Sequence, residues 1–108
     1  MQTRSHRRKM VSLMGEYISG RRSRPVFIGE VSEKGIHITI LNHSTKSQFF
    51  LGENVELKLC LSSRESIPLS CEVRWVSEKR PPDGVTDSVG LQIIAPPPQY
   101  VSFVKSLY

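Results

Sequence analysis

Val55-Glu56-Leu57-Lys58-Leu59-Cys60-Leu61 sets apolar side chains at every second position, with a carboxylate, an ammonium and a thiol between them. A period of two sends successive side chains to opposite faces of an extended chain, so this stretch is a strand with one face for a core and one for solvent. Moving towards the C-terminus, a polar turn over 62–66 leads to Leu69, Cys71, Val73 and Trp75, which alternate with Ser70, Glu72, Arg74 and Val76. Moving towards the N-terminus, Ile36, Ile38 and Ile40 alternate with His37 and Thr39, Val26 to Val31 is rich in β-branched and aromatic residues, and Met10 to Ile18 forms the first candidate. Val89 to Ile94 gives a sixth strand after a loop from Ser77 to Ser88 that carries Pro81, Pro82, Asp83 and Gly84. Past the stop at Pro96, Pro97 and Pro98, the residues Tyr100, Phe103, Val104 and Leu107 recur at helical spacing.

Six short strands joined by hairpin-length turns point to an all-β fold, a six-stranded antiparallel β-barrel with a short C-terminal α-helix, because closure removes the sheet edges that an open sheet leaves. The expected organisation is a single domain over 1–108: an arginine-rich flexible arm over 1–9, the barrel over 10–94 and the helix over 98–107. The apolar side of that helix needs a place to dock, over a barrel opening or against a partner. Trp75 and the isoleucines at 36, 38 and 40 are read as core, and His37, between two inward isoleucines, as a solvated histidine.

Composition narrows the class. Apolar residues at 38% and charged residues at 23% are those of a folding chain and not of a disordered one. No run approaches the roughly 18 apolar residues needed to span a bilayer, and the N-terminal residues have no apolar signal region, so the expectation is a cytoplasmic protein without membrane insertion. Cys60 and Cys71 sit inside strands without metal-ligand spacing and are expected as reduced packing residues, with no metal site. No nucleophile with a neighbouring base and no glycine-rich phosphate loop is present, so an enzyme is not expected.

The charge is unevenly placed. Residues 1–24 hold seven basic groups against Glu16 alone, a net +6, and the remaining residues carry a net −1. Such a concentration attracts an anion. Within it, Arg4-Ser5-His6-Arg7-Arg8 puts two guanidinium groups at i and i+4, each a planar fork able to hold phosphate oxygens or the O6 and N7 of guanine. About twenty residues further on, Glu30-Val31-Ser32-Glu33-Lys34-Gly35 interrupts the strands with a carboxylate able to accept guanine N–H groups, a hydroxyl and a glycine that permits close backbone approach. Arg21, Arg22 and Arg24 fall at a hairpin tip and are read as solvated charge, with phosphate steering as a minor role.

In order and spacing these two elements resemble the signature of the PilZ domain family, R-x-x-x-R followed by [D/N]-x-S-x-x-G. Arg4 and Arg8 fall on the paired arginines, and Ser32 and Gly35 on the serine and glycine. Gly52, Val73, Trp75 and Val89-Gly90-Leu91 look like the family's body. Glu30 departs from the pattern by one methylene, which puts ligand affinity in question. The resemblance implies a receptor for the bacterial second messenger cyclic di-GMP. Its ligand residues would be Arg4, Arg7, Arg8, Glu30, Ser32 and Gly35, with no further cofactor. The signal would pass through ordering of the N-terminal arm to a downstream protein partner, or through self-association by the C-terminal helix. Two other readings remain open: a PilZ-like protein–protein adaptor that does not bind cyclic di-GMP, and, less favoured because the few aromatics form no stacking row, a small barrel that binds single-stranded nucleic acid.

Overall fold

The computed structural model describes residues 7–61 and 64–108. The alternating segments form six strands, β1 (Lys9–Ser19), β2 (Arg22–Val31), β3 (Gly35–Leu41), β4 (Asn54–Cys60), β5 (Ser66–Lys79) and β6 (Thr86–Ile93), followed by helix α1 (Pro98–Lys105). All pairings are antiparallel, and the strands close in the order β1-β2-β3-β6-β5-β4. Closure comes from β1 on β4, where Met14 faces Cys60 and Ile18 faces Glu56, so no strand is left with an open edge. The turn expected over 62–66 includes residues 62 and 63, which lie outside the described residues. Its two sides meet where Leu61 N–H donates to Glu65 O at 2.9 Å.

The inward set is the one that alternation marks: Val55, Leu57 and Leu59 on β4, Ile36, Ile38 and Ile40 on β3, and Leu69, Cys71 and Val73 on β5 are all buried. Each fully buried aliphatic side chain contributes about 1.5–3 kcal/mol, and truncation of one such as Ile38 to alanine costs about 2–5 kcal/mol because a cavity remains. The loop expected over 77–88 is shorter than its polar residues suggest. Ser77 pairs with Ser88, Glu78 with Asp87 and Lys79 with Thr86, because ladder hydrogen bonds are made by the backbone whatever the side chains. The same reason carries β2 back to Arg22.

Antiparallel order gathers the connections at two ends. At one lie the Ser32–Lys34 turn, the start of β1 and α1. At the other lie the Gly20–Arg21 turn, the 42–53 connection and the 80–85 loop. Pro98 opens α1 in its first turn, as its fixed φ favours, and Tyr100 and Val104, one helical turn apart, are wholly buried against the core. The Tyr100 hydroxyl donates to Ser32 O at 2.7 Å. The helix thus docks on the barrel end next to the β2–β3 turn. At the opposite end, the buried Asp87 carboxylate meets Arg80 Nη2 at 3.0 Å and accepts from Asn42 Nδ2 at 2.8 Å.

Candidate functional site

Strict alternation along β2 would send Glu30 inward after Val26 and Ile28. It does not, because a β-bulge lies between Ile28, opposite Ile38, and Glu30, opposite His37. The extra residue is Gly29, and it reverses the facing of everything after it: Val31 turns into the core and Glu30 turns out. The same event occurs on β5. Val73 pairs with Leu91 but Trp75 pairs with Gly90, which leaves Arg74 as the added residue. Val73 is buried, whereas Trp75 is 43% exposed. The expectation that Trp75 belongs to the core is therefore corrected, and the bulge is the reason.

These two irregularities build one surface. On the outside of the barrel a row runs across four strands from Glu30 on β2 through His37 on β3 and Gly90 on β6 to Trp75 on β5. The indole lies flat over Gly90. A Cβ at residue 90 would come within 2.0 Å of Trp75 Nε1, so only glycine allows the approach. His37 meets the indole edge-on, with ring centroids 5.0 Å apart and planes at 65°. This corrects the reading of His37 as merely solvated: it is half-covered, its Nδ1 lies 3.9 Å from Glu30 Oε1, and its Nε2 is buried with no hydrogen-bond partner among the described residues.

The arginine segment reaches the same face. Arg8 Nη1 is 3.9 Å from Glu30 Oε1, with 69% of the arginine side chain exposed. A pair this long and this solvated contributes little to stability and leaves the guanidinium available. Arg7 is turned elsewhere: its guanidinium lies 5.6 Å from the centre of the Tyr108 ring, and the Tyr108 hydroxyl donates to Arg7 O at 2.6 Å. Arg4 lies outside the described residues. Arg74, the added residue on β5, donates from Nη1 to Gln92 Oε1 at 2.6 Å, and Gln92 is the register partner of Gly35.

Ser32 and Gly35 form the corner beside this row. Ser32 N–H donates to Gly35 O at 2.9 Å, and Gly35 N–H donates to Ser32 Oγ at 3.1 Å, so the four residues close on themselves. The serine hydroxyl is spent on the turn and is nearly buried. A Cβ on Gly35 would sit 3.4 Å from both Leu91 O and Ser32 Oγ, in van der Waals contact with the sheet and the turn. Tyr100 reaches the same peptide groups from α1, with its hydroxyl 3.3 Å from Gly35 O as well as bonded to Ser32 O. Burial pushes the pKa of the Tyr100 phenol well above its usual value, so it stays a donor.

Of the residues singled out in the sequence, Arg8, Glu30, Ser32 and Gly35 come together, and Arg7 is adjacent in chain but held by Tyr108. The sequence reading put His37 on the outer face but not in the site, and it missed Trp75 as a surface group. The signal for Trp75 was present as Gly90, a glycine in a strand, which marks a close approach. Chemically the set offers a flat indole for stacking, a carboxylate for ring N–H groups and guanidinium forks for anionic oxygens, as a planar base carrying phosphate requires. Among the described residues no cluster of His, Cys, Asp and Glu could hold a metal ion, and no helix is long and apolar enough to cross a membrane.

Known structures share this architecture. The chain is similar to the Bacillus subtilis inhibitor of motility (MotI/DgrA), with a TM-score of 0.75 at 14% identity over 99% of this chain and 49% of that one. It is similar to the PilZ domain of Escherichia coli YcgR with c-di-GMP, with a TM-score of 0.73 at 8% identity over 98% of this chain and 88% of that one. The Borreliella burgdorferi PlzA protein in complex with c-di-GMP superposes with a TM-score of 0.67 at 14% identity over 93% and 49% of the two chains. At such identities the likeness is one of fold, and the chain spans about half the length of MotI and of PlzA. No curated protein matches by sequence. The PilZ domain model matches residues 2–106, which takes in the arginine segment, all six strands and the helix, and the chain belongs to the PilZ domain family.

Proposed function

We propose that this chain is a cyclic di-GMP receptor domain and not a catalyst, with the ligand held on the outer face of β2, β3, β6 and β5. The observation that carries the reading is the convergence there of Arg8, Glu30, His37 and Trp75 beside the Ser32–Gly35 turn. Two c-di-GMP-bound PilZ structures of the same fold support the choice of ligand. In this reading Arg4 and Arg8 grip phosphates and guanine edges, Glu30 accepts guanine N–H groups, and Trp75 stacks on a base. Gly35 and the Ser32 hydroxyl keep the corner closed so that the ligand can approach the backbone.

The signal is a ligand-induced ordering of the N-terminal arm ahead of β1, whose like charges a bound anion neutralises. Arg7 already touches Tyr108, and Tyr100 ties α1 to the Ser32–Gly35 turn. Ligand capture of the arm therefore pulls on both ends of the α1 region, which presents the changed surface to a downstream partner protein in the cytoplasm or to a second copy of the chain.

Calorimetric titration with cyclic di-GMP, beside GTP and a short oligonucleotide, tests this. Saturable binding of the cyclic dinucleotide alone is expected, with Arg8→Ala and Arg4→Ala each weakening it by about 1.5–3 kcal/mol, the scale of a lost charge-assisted bond. Unchanged binding in both variants rejects the site. Absence of any binding favours the adaptor reading, which draws on Glu30 standing where the family has Asp or Asn and on its engagement by Arg8 and His37.

A further inference from the structure

At the barrel end away from α1, Tyr17 pairs with Arg24 and Ser19 with Arg22 across the first hairpin. The pairs are two residues apart, so all four side chains stand on one face. That face is the inner one, since Tyr17 is nearly buried and packs at a tilt on Phe49, with ring centroids 5.2 Å apart. The 42–53 connection lays Gln48 beside them, and Tyr17, Ser19, Arg22, Arg24 and Gln48 enclose a cleft of about 360 Å³.

The lining is chemically one-sided. Two guanidinium forks, one amide and two hydroxyls can all donate, and no carboxylate lines the cleft. Gln48 Nε2 is buried without a hydrogen-bond partner among the described residues. Arg24 is pinned in place by a bond from Nη2 to Leu41 O, which fixes its charge at the rim. The nearby acids are directed elsewhere: Glu16 alternates with Tyr17 and so faces the other way, Asp87 is engaged by Arg80 and Asn42, and Glu78 by Arg80 and Ser47 N–H. Two like charges side by side on one face repel each other, and an amide donor buried without a partner is unfavourable. An anion in the cleft relieves both.

We infer that this cleft binds a phosphate group, free or carried by a small phosphomonoester. The donors outnumber the roughly four lone-pair sites of a carboxylate, and the three terminal oxygens of a phosphomonoester offer more acceptor sites in a geometry that suits guanidinium forks. The volume lies at the small end of the range for small-molecule sites, about 300–1,000 Å³, and leaves space for a substituent against the Tyr17 ring. The site shares no residue with the cyclic di-GMP face and lies at the other end of β2, so it stands whether or not that ligand binds.

The test is a ¹H–¹⁵N NMR titration of the full chain with inorganic phosphate and, separately, with glycerol 3-phosphate, at constant ionic strength set by sodium chloride. Saturable shifts at Ser19, Arg22, Arg24 and Gln48, including the guanidinium Nε–H signals of the two arginines, are expected, while Glu30, Ser32 and His37 stay still. Arg22→Ala, at an exposed position, weakens binding about tenfold, and Arg24→Lys, which keeps the charge but not the fork, weakens it as well. Tighter binding of the ester assigns the cleft to phosphomonoesters, and equal binding assigns it to the phosphate group alone. Shifts linear in concentration, shifts spread over all basic residues, or saturation unchanged in a folded Arg22→Ala protein overturn the inference.

Discussion

At the end of the barrel where α1 docks, the polar group inserted among apolar side chains is neutral: the Tyr100 hydroxyl, satisfied by Ser32 O and Gly35 O. At the other end the inserted groups are charged, with the fully buried Asp87 carboxylate held by Arg80 and Asn42. The Arg80 contact is an ion pair without aligned hydrogen bonds, and Arg80 Nε has no hydrogen-bond partner among the described residues. The difference is one of what a single deletion does. Removing the tyrosine hydroxyl forgoes neutral bonds worth a net of about 0.5–1.5 kcal/mol, whereas removing one partner of the buried pair strands a charge.

Removing one member of each closure is the sharpest way to break that contrast. Arg80→Ala leaves Asp87 buried and uncompensated and is expected to lower unfolding free energy in urea by about 3 kcal/mol or more. Equal losses in Arg80→Ala and Tyr100→Phe would erase the distinction between the two ends. On the ligand face, Trp75→Ala is expected to weaken cyclic di-GMP binding by about 1–3 kcal/mol, the worth of a stacked base. It should leave unfolding nearly unchanged, because the indole is outside the core. Gly90→Ala should reproduce that binding loss with Trp75 still present, since the new methyl group evicts the ring. If it binds normally, the indole is not the stacking surface.

Tyr100→Phe is the smaller stability change, about 1 kcal/mol for the lost hydroxyl bonds. Its more telling readout is amide exchange, which should speed up at Gly35 and along α1 but not at Asn42. A last test uses pH. Burial, with a lesser push from Glu56, raises the Cys71 thiol from its usual 9.0 to about 12, and burial raises Tyr100 from 10.0 in the same direction. For an acid whose folded pKa is raised, the folded chain keeps its proton when the unfolded chain has lost it. Stability is then fully present below pH 9 and declines as pH rises from about 9 towards 12. Cys71→Ala should delay the onset to the range of Tyr100. At neutral pH a thiol reagent should label the partly exposed Cys60 and spare Cys71.

How much of this was legible in the sequence differs between the core and the site. Alternation over 55–61 and at Ile36, Ile38 and Ile40 is borne out residue by residue, because one face of a strand must be apolar to be buried and the pattern records that demand directly. The closed barrel and the terminal helix follow from the same demand. The facing of Glu30 and Trp75 was not legible. A bulge adds one residue to one strand, and only pairing with the neighbouring strand reveals where. Counting from Leu69 through Cys71 and Val73 puts Trp75 inside, and the register of β5 on β6 puts it outside.

By itself, the chain's order of residues determined an all-β single core, a basic first quarter and two polar elements spaced like a PilZ signature, since burial, charge and spacing are properties of the linear pattern. Only the tertiary structure decided that Trp75 lies over Gly90 beside His37, that Tyr100 and Tyr108 join the last helix region to both polar elements, and that Arg22 and Arg24 share a cleft with Gln48. Those facts depend on which strands pair and in what register, a cooperative outcome of closing the barrel that no local stretch contains.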